Sequence, residues 1–147
     1  MDRTKIGAIS GIIGALSSVI PGFLEKRVFH LTKVNFLDYA GVLVIGKEIT
    51  NFWEWLISVT GHMVFGAFLG VAFAFFIKKT TEENLIFKGT GYGAFIWLST
   101  LALGSYFKLP KFKATNPADC FFILVDALIY GFAMSYTLQK LSKKLWR

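Results

Sequence analysis

The chain has 147 residues, a net charge of +7, 54% hydrophobic residues and a mean hydropathy of +0.56. That apolar share already exceeds the roughly 45–50% that soluble domains reach with glycine included, and the length suits one domain, so a soluble multidomain architecture is excluded. The single cysteine, Cys120, excludes an intramolecular disulfide and a multi-cysteine metal centre.

The first element is a run without Asp, Glu, Lys or Arg at 6–24. As a helix it reaches about 28 Å, close to the roughly 30 Å hydrocarbon core of a bilayer. It is followed by Glu25-Lys26-Arg27 and not by small residues of a cleavage site, so it is read as a membrane span and not as a signal peptide. The Pro21-Gly22 pair predicts a kink, beyond which the helix can continue into 25–33.

The next stretch, about 30 residues, exceeds the 2–8 residues usual between helices in bundles and therefore should carry structure of its own. Within it "NFLDYAGVLVIG" is too short to span. Residues 34–46 are predicted as an interfacial or shallow re-entrant segment packed on the bundle, since irregular backbone at membrane depth must be buried in protein or line water.

Three more spans follow, at 52–77, 85–107 and 117–139. Asn51-Phe52-Trp53-Glu54 has capping-box spacing, Thr80-Thr81-Glu82-Glu83 repeats that signal, and Asn116-Pro117 supplies an N-cap followed by proline at the first helical position. The fold class is thus an all-α integral membrane protein, one domain over 1–147 with four transmembrane helices. Trp53, Trp55, Tyr106, Phe121 and Phe122 should gather at one interface and Tyr92, Tyr136 and Trp146 at the other, while Trp97 falls mid-span, in a lipid-facing or packing role. With both termini cytoplasmic, nine Lys and Arg lie inside against seven outside. That bias and the basic C-terminal tail favour this orientation. The positive charge is assigned to the membrane surface, and nucleic acid is not needed to explain it.

Small residues one turn apart, Gly7 and Gly11, Gly66 and Gly70, Gly89 and Gly93, mark faces where helices can approach closely. The pattern serves contacts within one chain or between copies equally well.

Asp126 stands alone in "FFILVDALIYGFAMSY". An ionisable side chain in a span is a functional hypothesis by default, with a partner to be named. His62 lies at similar depth on a helix entering from the same side, about 15 Å along it against 14 Å for Asp126. Glu54, Ser58 and His62 share one face at i, i+4, i+8, and Tyr130 lies one turn beyond Asp126. The strip Glu54, Ser58, His62, Asp126, Tyr130 can hold a proton, a cation or water, or it can tie the bundle together by hydrogen bonds, with Ser99 and Thr100 as further donors to Asp126.

No catalytic residues, cofactor or metal are assigned. His-Glu-x-x-His, Gly-x-Ser-x-Gly and phosphate-loop motifs are absent, and "GTGYG" at 89–93 opens a hydrophobic span without the strand and acidic partner of a dinucleotide site.

The stretches "SVTGHMVFGAFLGVAFAFFIKK", "GYGAFIWLSTLALGSYFKLP" and "DALIYGFAMSYTLQKL" together resemble the YagU-like small bacterial inner-membrane proteins and related uncharacterised multispan proteins of Firmicutes. The likeness covers roughly 53–141. It implies a multi-pass protein of the bacterial cytoplasmic membrane and no particular activity.

Two functional classes are expected. One is a non-enzymatic accessory or scaffold component, packing with itself as a homo-oligomer or with a larger membrane complex in the lipid bilayer. The alternative is a small oligomeric proton- or cation-linked transporter or channel using Asp126 and His62.

Overall fold

The computed structural model describes residues 2–81, 83–112 and 116–142. Its elements are α1 (Arg3–Phe23), a π-helical turn (Leu24–Val28), α2 (Phe36–Ile45), α3 (Phe52–Lys79), α4 (Leu85–Tyr106) and α5 (Pro117–Ser142). Trp146, Lys143, Lys144 and Arg147 at the predicted basic end lie outside the described residues, as do Lys113 and Glu82.

Among the described residues, three helical segments are long and apolar enough to cross a membrane: Arg3–Val28, Phe52–Lys79 and Pro117–Ser142. The fourth expected span, 85–107, corresponds to α4, which is not among them. The helix α4 is long enough at 22 residues, but Lys88, Thr90 and four glycines dilute its apolar character. The short apolar α2 lies between the first two spanning segments, where the non-spanning segment was expected.

Local signals explain most boundaries. Asp2 caps α1 by accepting from the Thr4 N–H. Asn35 and Asp38 form a reciprocal capping box at the start of α2, which stops at Gly46 in the left-handed region. Asn51 accepts from the Glu54 N–H, but the Glu54 carboxylate turns to Thr50 and Lys47, so the expected box at α3 is half made. Asn116 accepts from the Ala118 N–H beside Pro117. At α4 the expected cap fails, because the N-cap position falls on Asn84, in the left-handed region and without a side-chain bond.

Packing order differs from chain order. The helix α1 lies between α3 and α5, α4 packs on α5, and α3 and α4 scarcely meet. All three predicted glycine pairs act inside the chain. A β-carbon at Gly70 would stand 2.6 Å from Gly11 Cα, one at Gly7 2.8 Å from Val71 Cα, and one at Gly89 2.8 Å from the Gly131 carbonyl oxygen. Real β-carbons do not come this close, so the contacts α1–α3 and α4–α5 exist only because these positions lack one.

One apolar core joins the four long helices around Phe73, Met134 and Tyr130. A second sits under α2, where Tyr39 stacks on Phe112 with ring centroids 4.0 Å apart and Ile123 closes the base. Trp97 has the packing role, its indole N–H donating to the Cys120 carbonyl at 2.9 Å. Tyr92 turns inward from the expected interface, donating to the Leu69 carbonyl at 3.3 Å.

Gly70→Leu should therefore force α1 off α3 and destabilise the protein by more than the ~1–3 kcal/mol typical of overpacking, seen as a lower thermal midpoint in mild detergent. Gly91, with nothing within 4 Å of an added β-carbon, should accept Ala with an unchanged or raised midpoint.

Candidate functional site

The five residues of the predicted polar strip separate into three environments. Glu54 lies at the loop end of α3, bonded to Thr50 N–H and Oγ1 at 2.8 and 2.9 Å and ion-paired with Lys47 at 2.5 Å. Ser58 is buried, donates to the Glu54 carbonyl at 2.8 Å and faces Gly41 of α2, where an added β-carbon would come within 2.6 Å of its oxygen. These two residues serve the contact between α2 and α3.

His62 and Tyr130 form the second environment, at the junction of α1, α3 and α5. The His62 ring lies against the Ala15 carbonyl, its Nε2 is 3.4 Å from Ser18 Oγ, and it stacks on Phe36 with centroids 6.0 Å apart. Tyr130 donates across to the Gly66 carbonyl at 2.9 Å, one turn from His62. Both residues tie neighbouring helices through backbone carbonyls.

Asp126 is the third environment. It is 1% exposed, and its Oδ1 is buried without a hydrogen-bond partner. Neither His62 nor Tyr130 bonds to it, and neither do Ser99 and Thr100. The charged group acting on it is Glu25, on the π-helical turn, which also holds a buried unpartnered oxygen, Oε2. Gly22 makes the room: a β-carbon there would stand 2.7 Å from Asp126 Oδ2. Residue spacing puts His62 and Asp126 at comparable depth but does not fix which way each points around its helix. His62 faces Ala15 and Ser18, whereas Asp126 faces Gly22, a turn further along α1.

Sequence reasoning passed over Glu25, treating it as a flanking charge. It also passed over Asp119, which is buried at the start of α5 and accepts from Thr32 Oγ1 at 2.6 Å and the Lys33 N–H at 2.8 Å. The signal available for Asp119 was its place in the first turn of a helix, where a carboxylate is favourable.

Where α3 and α4 diverge, a cavity of about 560 Å³ opens, walled almost wholly by apolar side chains such as Phe65, Phe68 and Leu103. Ser18, His62, Thr100 and Tyr130 supply polar groups to its lining. Tyr39 of α2 lines it too, with a buried phenolic oxygen that lacks a partner. Burial, with the fields of Cys120, Asp119 and Asp38, pushes that phenol up, so it remains a neutral donor. Among the described residues no group of three His, Cys, Asp or Glu is placed to hold a metal ion. The chain matches no family model, no curated protein and no solved structure.

Asp126→Asn should leave the detergent melting midpoint unchanged or raised, because the carboxylate has no hydrogen bond to lose. Tyr130→Phe, which breaks the α5–α3 tie, should lower stability by about 1 kcal/mol. Parallel thermal melts of the two variants check both outcomes.

Proposed function

We propose that this protein is a non-enzymatic accessory component of a bacterial cytoplasmic membrane, crossing it four times with both termini inside and α4 completing the set of spans. The YagU-like resemblance supports the location, and the antiparallel packing of α4 on α5 supports the fourth crossing.

The observation that carries the reading is the division of surfaces. The glycine faces, His62, Ser58 and Tyr130 are engaged within the chain. The open side is the cleft between α3 and α4, flanked by exposed aromatic residues. A second copy or a larger complex would meet the protein there, through apolar shape complementarity, while the glycine seams stay closed.

A photoreactive residue at Phe68, 71% exposed on the cleft, should give a discrete adduct of higher mass in native membranes. The same residue at Phe87, 80% exposed and away from the cleft, should give none. Equal labelling from both positions would remove the cleft as the contact.

Two unpartnered carboxylate oxygens favour a second reading, the proton- or cation-linked transporter. Two buried carboxylate oxygens without partners, on Glu25 and Asp126, are costly groups for a bilayer protein to retain. In this form of the transporter the pair is Asp126 with Glu25, and His62 remains in the helix contact. Under the accessory reading, proteoliposomes carrying wild type and Asp126→Asn should show the same background proton and cation flux. A wild-type flux abolished in a folded Asp126→Asn protein would establish the transporter instead.

A further inference from the structure

A pocket of about 330 Å³, separate from the α3–α4 cleft, lies between the end of α1, the start of α2 and the first turn of α3. Three cations line it, Lys26, Arg27 and Lys111, against one carboxylate, Asp38. Asp38 is already engaged, accepting from Lys26 Nζ at 2.7 and 2.5 Å and from the Asn35 N–H at 2.9 Å. Among the described residues Lys111 is held only by a 3.2 Å pair with Glu48, whose side chain is 58% exposed. The Arg27 guanidinium makes no hydrogen bond or ion pair among the described residues. The pocket therefore carries uncompensated positive charge and free donors.

Its position adds a second constraint. Phe23, Leu37, Ile49 and Trp55 form the apolar part of the lining, and Phe52, Trp53 and Trp55 cluster at the start of α3, as aromatic residues do at the boundary between headgroups and hydrocarbon. The π-helical turn brings Lys26 and Arg27 to this boundary just after the apolar span, and such turns recur at functional sites. The exposed apolar side chains of Leu24 and Val28 on the same turn face outward. A ligand suited to this place has a phosphate for the cations and hydrocarbon for the adjoining surface.

We propose that this pocket is a binding site for the phosphate headgroup of an anionic phospholipid, with Arg27 and Lys111 as its principal contacts and the acyl chains lying along Phe23 and the neighbouring apolar surface. Basic pockets between membrane helices recognise anionic headgroups by this chemistry. The site does not depend on what occupies the α3–α4 cleft.

The test uses the full chain in detergent with phosphatidylglycerol and phosphatidylcholine of matched acyl chains, and native mass spectrometry to count retained lipid. Wild type should retain phosphatidylglycerol preferentially. Arg27→Gln and Lys111→Gln should each lower that preference about fivefold, the loss expected of one cation near a lipid phosphate. Lys108→Gln, which removes an exposed cation outside the pocket lining, should keep it. Equal retention of the two lipids by wild type, or equal losses from all three variants, would overturn the site. Inorganic phosphate competing as well as phosphatidylglycerol would overturn the lipid assignment. Thermal melts guard against misfolding: Arg27→Gln should match wild type in phosphatidylcholine and lose only the rise in midpoint that phosphatidylglycerol gives wild type.

Discussion

Backbone-to-backbone approach at two glycine seams is the constraint on which the structure rests. In a bilayer, lipid tails are as apolar as leucine, so burial of hydrocarbon gives helices little reason to meet, and close packing must supply it. Gly7 and Gly11 against Gly66 and Gly70 hold α1 on α3, and Gly89 and Gly93 against Ala127 and Gly131 hold α4 on α5. With α1 also packed on α5, the four long helices form a row ordered α3, α1, α5, α4. The gap between its two ends follows directly from this order.

The polar groups are arranged around those seams. Tyr130 and His62 reach backbone atoms on neighbouring helices near the α1–α3 seam, where the missing side chains bring the helices close enough for a single side chain to bridge them. Gly22 has a different effect. It clears space without filling it, leaving Asp126 beside the π-helical turn with an oxygen that meets no donor. Asp38 and Asp119 resemble Asp126 in composition only. Each accepts from one backbone N–H and one side-chain donor at the loop end, so each fastens the stretch between α1 and α2.

Element positions were legible in the sequence because charge gaps and capping residues act locally. The expected 52–77 and 117–139 segments correspond to Phe52–Lys79 and Pro117–Ser142, and the expected 34–46 segment to Phe36–Ile45. What the sequence could not show was how each helix is turned about its axis. A side chain's depth follows from counting residues, but its direction follows from which neighbour the glycines select, and those neighbours are set by contacts between distant segments. Hence Asp126 was identified as unusual while its neighbour Glu25 was passed over. Glu54, Ser58 and His62 do share a helical face, but two different surroundings meet that face along its length, the α2 contact at Glu54 and Ser58 and the α1 contact at His62. The α4 cap failed for a related reason. Asn84 adopts a left-handed conformation that no side-chain spacing announces.

The packing order also bears on how the chain is assembled as it leaves the ribosome. The helices α1 and α3 can close their seam as soon as both are in the membrane, since each carries its own glycine face. The helix α4 then follows with Gly89 and Gly93 turned toward a neighbour not yet made, because α3, the helix before it in the chain, is not its main packing partner. Only when α5 inserts between α1 and α4 do both faces of the row acquire their contacts. Until then the nascent protein consists of one finished pair and one unpaired helix, a state in which an insertase or a membrane chaperone would have a surface to hold.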